Sequence, residues 1–287
     1  MKQILTILIL FLSVSISAQE IKPTPYAPEL FSPAISGAVC GFSRDGKIIY
    51  FVKEDTVVKK LFLFQAKKKK DKWEDVQLLP FSGKYNDLGG RLDQTSGIFY
   101  FTSDRPGGST LTNDTWNIWQ TKLENNEWSE PKPLNEINNK GMECCPVPLA
   151  SGAMLFSADR NKSTSWWISE WVNGSETYVD SLNKEKTWQW PSSLDKKGKL
   201  LFLNSMMRVD TRGMDDIYVS FRRNKSWSTP VNIGNTVNSK AYEDGAILSP
   251  DEKWLIFCRH ETSTTPSQVL CAPWLPLRKG LEKKFID

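Results

Sequence analysis

One short pattern recurs along the chain: an apolar run, a polar turn, a second apolar run and a final phenylalanine. The first copy is GFSRDGKIIYF, at residues 41–51. Asp, Gly and Ser in the turns tolerate the backbone angles of a tight β-hairpin. A repeat of fixed period constrains the fold class more strongly than any local feature. The five copies end, 46 to 55 residues apart, at Phe51, Phe101, Phe156, Phe202 and Phe257.

Further strands follow each copy and set the size of the repeating unit. A third strand, rich in aromatic and β-branched residues, begins near Leu61, Trp116, Trp166 and Asp216. An outer strand opens on Trp73, Trp128 and Trp227. Pro131 and Pro230 fall in outer strands, and proline is tolerated at a sheet edge but not in a central strand. Four strands per unit is the size of a propeller blade.

We therefore predict an all-β fold, a β-propeller of five four-stranded blades. Six blades are the alternative if residues 163–190 contain an additional degenerate unit. The fifth unit lacks an outer strand, and residues 28–35 resemble one, so the N-terminal strand is predicted to pair with the last blade and close the ring. The predicted blades are residues 37–84, 85–139, 140–187, 188–240 and 241–287, with 28–35 as the closing strand.

The first 18 residues are typical of an export signal. Lys2 precedes an apolar run, and Ala18 is a small-residue cleavage point before Gln19. No later stretch reaches the roughly 18 apolar residues of a membrane helix. We expect one mature domain at 19–287 that is periplasmic or secreted, monomeric and without a transmembrane segment. A net charge of +4 is weak for this length, so no nucleic-acid partner is expected.

The five cysteines are Cys40, Cys144, Cys145, Cys258 and Cys271. Disulfides persist in an oxidising compartment, and an odd count leaves at least one thiol unpaired. Cys258 and Cys271 fall on consecutive strands of one blade and are the predicted bridge. The adjacent Cys144 and Cys145 can close only a strained ring, or one of them pairs elsewhere. The cysteines lack metal-ligand spacing and His260 is the only histidine, so no metal or other cofactor is expected.

Several segments resemble the WD40-like (PD40), TolB-type β-propeller repeats. SPDEKWLIF, at residues 249–257, resembles the S-P-D-G-K core of that family. Residues 41–51 match the same core, with Arg44 where proline is usual. Residues 101–108 followed by 114–119 resemble the F-x-S-D-R-x-G…D-I-Y segment. The resemblance covers nearly all of the mature chain and implies a propeller, often periplasmic and often used for protein contacts. It is weak for function, because such repeats serve both binding proteins and enzymes.

Propeller sites usually lie at one mouth of the central channel, just before the innermost strands. The candidate binding residues at that position are Asp87, Glu143, Glu243, Asp244, Tyr85 and Tyr242. Converging acids can bind a cation or a basic peptide, or act on a glycosidic bond when two carboxyls lie about 5 to 10 Å apart. The favoured alternative is structural, with the acid binding turns or backbone amides in every blade. No catalytic residue is assigned.

Three other features have structural explanations that recurrence favours. Asp104-Arg105 and Asp159-Arg160 recur and are predicted to tie a loop to the adjacent blade. The recurring tryptophans are predicted to pack between blades. His260 is predicted to lie on an exposed loop. The tryptophans that do not recur mark where a carbohydrate surface would lie: Trp166, Trp167, Trp171, Trp188 and Trp190.

The function predicted from these features is protein binding or scaffolding in the bacterial cell envelope, with binding favoured over catalysis. The alternative is a carbohydrate-active enzyme or glycan-binding protein that uses Asp87, Glu143 and Glu243 as its acids. The partner is expected to be an envelope protein or a glycan.

Overall fold

The structure is a computed structural model that describes residues 21–284, except 109–115, 126, 139–140, 150–151, 160–165 and 186. The export signal predicted for residues 1–18 therefore lies outside the described residues, as does Arg160 of the second Asp-Arg pair. The described residues form strands throughout, with one C-terminal helix, so the all-β prediction is confirmed.

The strands pair as consecutive antiparallel sets, which we number 1 to 3 for the first half of the chain. Each set runs outward from its first strand through neighbours in sequence order. Set 1 comprises β2 (Gly37–Phe42), β3 (Ile48–Asp55), β4 (Lys60–Lys69) and β5 (Lys72–Leu78). Set 2 comprises β6 (Asp87–Leu92), β7 (Ile98–Ser103), β8 (Asn117–Glu124), β9 (Glu127–Trp128) and β10 (Lys132–Pro133). Set 3 comprises β11 (Met142–Pro148), β12 (Met154–Asp159), β13 (Trp167–Val172) and β14 (Ser175–Tyr178).

Sets 4 and 5 are joined into one larger sheet by a single parallel pair, Asp215 with Tyr242. Set 4 comprises β15 (Trp188–Leu194), β16 (Leu200–Met206), β17 (Asp215–Arg223), β18 (Ser226–Trp227) and β19 (Val231–Asn232). Set 5 comprises β20 (Tyr242–Leu248), β21 (Trp254–His260), β22 (Gln268–Pro273) and, from the N-terminus, β1 (Thr24–Pro25). Helix α1 (Trp274–Lys284) follows β22.

The predicted closing strand at residues 28–35 is not a strand. The chain turns at Ala27, whose φ is 45°, and the amides of Leu30 and Phe31 donate to its carbonyl. Pro33 has no N–H to contribute to a sheet. The earlier and shorter β1 pairs with β22 instead. Leu30 and Phe31 are buried in the core beside Phe51.

The core lies between neighbouring sets rather than inside any one of them. All five repeat phenylalanines are completely buried, as their period predicts. One buried cluster joins sets 1 and 2, and others join 2 with 3, 3 with 4, and 4 with 5. A further cluster joins set 5 to set 1 and contains Phe51 and Ile256. A sheet that buries both faces in this way needs neighbours on both sides.

The outer strand of sets 2 and 4 is split around a proline. In set 2, the Ser129 hydroxyl accepts from the Lys122 amide at 3.1 Å, and the Thr121 hydroxyl donates to the Ser129 carbonyl at 2.6 Å. In set 4, Ser228 accepts from the Phe221 amide in the same way at 3.0 Å. The serine of the Trp-Ser-x-Pro sequence therefore substitutes for backbone bonds where the strand is interrupted.

A second recurring feature fixes the start of the third strand in sets 2, 3 and 4. A buried asparagine after each outer strand bonds both the N–H and the C=O of one isoleucine. The pairs are Asn138 with Ile118, Asn183 with Ile168 and Asn238 with Ile217. The sequence analysis did not predict this clamp.

Helix α1 packs against the core shared by sets 4 and 5, and set 5 has no Trp-Ser-x-Pro outer strand of its own. Trp274, Leu277 and Leu281 project from one face and join the core cluster of those sets. The Trp274 ring lies 5.2 Å from that of Phe202 in an edge-on contact. No helix among the described residues is long and apolar enough to cross a membrane.

Gly198 provides a test of the repeated hairpin turn. Its φ is 63°, and a Cβ there would meet no atom within 4 Å, so Gly198→Ala carries only the backbone cost. We expect the free energy of unfolding to fall by about 1 kcal/mol in urea titration. Gly280 in α1 is equally open, and Gly280→Ala should raise it by roughly 0.5–1 kcal/mol. Changes of the same sign in both variants would contradict this interpretation.

Candidate functional site

A cavity of about 650 Å³ lies where the first strands of the sets converge. Its lining comes from all five sets and mixes apolar, aromatic and charged groups. The residues that carry its chemistry are Arg91, Cys145, Trp190, Asp215, Asp244 and His260. This volume lies within the range of roughly 300–1,000 Å³ that is typical of small-ligand sites.

Of the predicted binding residues, Asp244 lines this cavity, and the other five do not. Asp87, Glu143 and Glu243 are completely buried inside their own sets. Tyr85 and Tyr242 are also absent from the cavity lining, and the Tyr85 ring lies 5.6 Å from the Arg105 guanidinium. Of the four predicted acids, Asp244 is therefore the one that faces this cavity.

Two of these buried acids, Asp87 and Glu243, pair with an arginine at or just beyond the second strand of their set. Asp87 accepts from Arg105 Nη2 and from the Ser82 hydroxyl, both at 2.7 Å. Glu243 accepts from Arg259 Nε at 2.7 Å. Burial raises the pKa of Asp87, which the nearby Arg105 opposes. This is the structural arrangement that the recurrence of the acids favours.

The Asp104-Arg105 pair holds the segment that joins set 1 to set 2, and Phe81 of this segment belongs to the predicted first blade. Asp104 accepts from the backbone amide of Asn86 at 2.8 Å and from its side-chain amide at 2.7 Å. Arg105 bonds Asp87, the next residue along, and the Phe81 carbonyl. The two neighbouring side chains therefore hold both sides of the turn that enters β6.

The bridge predicted between Cys258 and Cys271 is not formed, because all five cysteines are free. Cys258 lies opposite Val269 and Cys271 opposite Ile256, so the two are diagonal neighbours. Diagonal Cα atoms are about 7–8 Å apart, beyond the roughly 4.4–6.8 Å that a disulfide spans.

Cys145 occupies an unusual backbone position on the cavity wall. It lies in the β-bulge of β11 and has a φ of 56°. The equivalent bulges of β6 and β20 have a glycine at this position, Gly89 with a φ of 61° and Gly245 with a φ of 63°. A non-glycine residue in this region is uncommon and tends to mark a functional constraint. Its neighbour Cys144 is buried, and burial raises the pKa of the Cys144 thiol.

Asp215 is the most deeply buried acid of the cavity, with 6% of its surface exposed. Its Oδ2 accepts from Asn204 Nδ2 at 2.7 Å, whereas Oδ1 has no hydrogen-bond partner. Burial raises the pKa of Asp215 well above its ordinary value, and the Asp244 carboxylate adds to the shift. A buried polar atom without a partner requires an explanation, and a ligand group supplies one.

His260 lines the cavity at the end of β21, so the predicted exposed loop position is wrong. Its Nε2 lies 3.6 Å from Asp244 Oδ2, and its Nδ1 lies 3.2 Å from the Thr265 carbonyl. The pKa of His260 is raised, mainly because its side chain hydrogen-bonds to Asp244. Asp215, Asp244 and His260 thus form one titratable cluster facing the cavity.

Three tryptophans gather beside this cluster. Trp190 lines the cavity, and its ring lies 6.4 Å from Trp166 and 6.1 Å from Trp188. Trp188 is 38% exposed. Trp167 packs edge-on against Tyr178, away from this group. Of the tryptophans predicted to mark a carbohydrate surface, three therefore form a continuous aromatic surface at the cavity. Trp171 packs elsewhere, against the core between sets 2 and 3.

Across the part of the chain that the structure describes, no group of three or more His, Cys, Asp and Glu side chains is arranged to hold a metal ion.

Arg91, Asn204 and Asp215 were not predicted from the sequence as candidate site residues. Asp215 belongs to the third strand of its set, whereas the sequence search was confined to residues before first strands.

Asp215→Asn tests the penalty of the buried carboxyl. Because the folded-state pKa of Asp215 is raised, its ionisation opposes folding. The stability contributed by the neutral carboxyl is complete below pH 3.8 and is lost as pH rises through the folded pKa. The nearly isosteric amide cannot ionise, so we expect a gain of about 1 kcal/mol at pH 7 in urea titration. The gain should vanish as pH falls toward 3.8. A loss of stability at pH 7 would contradict this account.

His260→Gln should give the pH dependence expected of a stabilised imidazolium. A histidine with a raised folded pKa contributes stability fully below its ordinary pKa of 6.5, and that contribution is lost as pH rises through the folded pKa. The difference in unfolding free energy between the native chain and the variant should therefore be largest below pH 6.5. Asp244→Asn should remove the upward shift, which NMR can follow because the chain has one histidine.

The fold is similar to those of several solved proteins. A TolB-like protein from Agrobacterium tumefaciens aligns with a TM-score of 0.50 and 13% identity, over 79% of this chain and 70% of that one. A thermostable family-43 glycoside hydrolase aligns with a TM-score of 0.52 and 10% identity, over 83% and 88%. Another glycoside hydrolase aligns with a TM-score of 0.52 and 10% identity, over 88% and 91%.

No protein-family model and no curated protein matches the chain. The resemblance to PD40 repeats is supported only for the fold, by the similarity to the solved structures. At identities of 10–13%, similarity of structure carries no information about activity. What the chain shares with these proteins is an all-β propeller fold built from four-stranded sheets.

Proposed function

We propose that the chain is an exported, closed five-bladed propeller that binds a saccharide in its channel cavity. Sets 1 to 5 are its blades, and all their strands except β1 fall within the boundaries predicted from the repeat. Closure is supported by the buried cluster shared by sets 5 and 1, and by contacts between β2 and β20. The export signal at residues 1–18 supports a location in the bacterial cell envelope or outside it.

The cavity is the observation that carries the ligand proposal. Its volume of about 650 Å³ suits a small molecule or a few sugar rings, and it is too small for a folded protein. Trp190 offers an apolar ring face, and Asp215, Asp244 and Asn204 offer acceptors and donors beside it. A sugar ring has both kinds of surface, with apolar C–H faces and hydroxyl groups at its edges. The site therefore matches a saccharide better than a purely apolar ligand.

The surroundings of the cavity support a contact with a larger envelope component. Val57, Met207 and Val209 are 87%, 77% and 94% exposed. They lie on the loops that join second and third strands, beside Lys59 and Asn204 of the cavity lining. These loops are the place where an envelope protein, or the polymer that carries the saccharide, would contact the propeller. The scaffolding role predicted from sequence would use this surface.

A glycan-binding screen tests the saccharide proposal. We expect the native chain to bind a defined group of saccharides and Trp190→Ala to lower that affinity about tenfold, which corresponds to 1.4 kcal/mol of ring contact. Trp254→Ala is the matched control, because Trp254 is 40% exposed and lies outside the cavity lining. If no saccharide binds, or both variants lose affinity equally, the proposal fails.

Hydrolysis of a glycosidic bond is the second candidate function. It is favoured by the environment of Asp215, because a carboxyl with a raised pKa beside a second carboxylate, here Asp244, is typical of an acid and base pair. Asp215 with its raised pKa would be the proton donor. Turnover of a bound saccharide by the native chain, lost in Asp215→Asn and in Asp244→Asn, would establish this function. Binding without turnover would exclude it.

A further inference from the structure

Arg91 extends from β6 into the cavity with part of its guanidinium unused. Its Nε donates to the Ser192 carbonyl at 2.6 Å, and its Nη1 donates to the carbonyls of Cys40 and Gly90, both at 2.8 Å. A guanidinium has five N–H groups, so these three bonds leave the two on Nη2. Arg91 is part of the cavity lining. The unused donors therefore belong to a group that faces the site.

Arg91 also differs in its charge partner from four other arginines that are buried or partly buried. Arg105, Arg208, Arg222 and Arg259 each lie within 4.0 Å of a carboxylate. Among the described residues, no carboxylate lies within that distance of Arg91. An uncompensated charge at a site shielded from water is costly, and a bound anion would compensate it.

The groups around Arg91 leave its charge unmatched. Cys40, Cys145 and Cys258 line the same cavity, and all three lie close enough to the Arg91 guanidinium to interact with it electrostatically. Burial raises the pKa of Cys40 and of Cys258, so these thiols stay neutral near pH 7. They supply polarisable walls but no negative charge.

The register separates Arg91 from the acids of the cavity. Leu88 opposite Thr102 and Asp244 opposite Cys258 are equivalent pairs, each immediately before the bulge of its set. Arg91 is three residues further along β6 than Leu88, which corresponds to at most about 10 Å at 3.3 Å per residue. Arg91 therefore lies at the far end of the cavity from Asp244, which clusters with Asp215 and His260.

We propose that this far end is an anion subsite, in which Arg91 binds the carboxylate of an acidic saccharide. The inference rests on the proposed saccharide-binding function and names its ligand class, a sugar acid. The carboxylate meets the two N–H groups of Nη2. The sugar ring lies against Trp190, and its hydroxyl groups point toward Asp215 and Asp244 at the opposite end. An arginine suits this role because its planar donors match the geometry of a carboxylate.

Isothermal titration with glucuronate and glucose tests the subsite in the native chain. The two sugars share a ring and differ at the carboxylate, so we expect glucuronate to bind at least tenfold more tightly. Inorganic sulfate should compete with glucuronate but not with glucose. Equal affinity for the two sugars would overturn the anion subsite and leave saccharide binding intact. Binding of neither sugar, together with a negative glycan screen, would overturn both proposals.

Variants identify the group responsible. Arg91→Met keeps the stem and should abolish the preference for glucuronate while glucose still binds. Lys59→Met is the matched control, because Lys59 is the other lysine or arginine of the cavity lining and lies on the β3–β4 loop. Loss of the preference in Lys59→Met but not in Arg91→Met would overturn the assignment to Arg91.

Because Arg91 also bonds the carbonyls of Cys40 and Ser192, Arg91→Met can fail to fold. A measurement on the native chain avoids this difficulty. The NMR signal of the Arg91 Nε–H group should shift on addition of glucuronate and remain in place with glucose. An unchanged signal at saturating glucuronate would show that Arg91 is a structural tie only.

Discussion

Arg105→Met is expected to lower the free energy of unfolding by about 3–5 kcal/mol at pH 7. The guanidinium bonds Asp87 at 2.7 Å, and it also lies 4.8 Å from the Phe101 ring. Asp87 is completely buried, so removal of its partner leaves a carboxylate without a counter-charge. Urea titration measures the loss. The exposed pair of Arg278 and Glu282 is the control, and Arg278→Met should cost no more than about 0.5 kcal/mol.

The pH dependence identifies the cause of this loss. Burial already raises the pKa of Asp87, and without Arg105 its pKa should rise further. Ionisation of a carboxyl with a raised folded pKa destabilises the fold. The stability contributed by the neutral form is therefore complete below pH 3.8 and is lost as pH rises through the folded pKa. The deficit of Arg105→Met should therefore shrink as pH falls toward 3.8. Adding Asp87→Asn to Arg105→Met should recover part of the loss at pH 7. A deficit that is independent of pH would show that ring contacts dominate instead.

The parts of the fold that could be predicted from sequence are those that the repeat encodes with regular spacing. Phe101 and Phe202 are buried because each copy places its phenylalanine at the same point of the second strand. The asparagine clamp was missed because its spacing is irregular. The asparagine follows its isoleucine by 20 residues at Ile118, by 15 at Ile168 and by 21 at Ile217. Loops of variable length between the two hide the relation in a single sequence.

The candidate site could be predicted only in part, because strand alternation decides which acid faces the cavity. Glu243 and Asp244 are adjacent in β20, so their side chains point to opposite sides. Glu243 points into its own set and pairs with Arg259, whereas Asp244 lines the cavity. A pattern search that marks both residues cannot separate these roles without the register. Arg91 occurs in a single copy, and no repeat signals its position.

Asn238→Ala is expected to lower the free energy of unfolding by about 1.5–4.5 kcal/mol. The asparagine side chain bonds the amide and the carbonyl of Ile217, both at 2.9 Å, and is 1% exposed. Alanine would leave the Ile217 amide without a partner, at about 1–3 kcal/mol, and would remove one of the two donors to the Ile217 carbonyl, at about 0.5–1.5 kcal/mol. The carbonyl still accepts from the Ile233 amide at 3.2 Å. Asn138→Ala removes the equivalent clamp at Ile118 and should cost a similar amount. Urea titration measures both losses.

The two clamp variants should differ in ligand binding even if they lose equal stability. Ile217 lies two residues from Asp215 in β17, so the Asn238 clamp fixes the segment that presents Asp215 to the cavity. The strand held by Asn138, β8, contributes no residue to the cavity lining. We expect Asn238→Ala to weaken saccharide binding by tenfold or more under conditions where it is still folded, and Asn138→Ala to leave it unchanged. Faster hydrogen exchange at the amides of Ile217 and Ile118, respectively, would show that each clamp has opened. Equal affinities in the two variants would mean that Asp215 is not held in place by the start of β17, and its position would then depend on Asn204 and the pairing with β20.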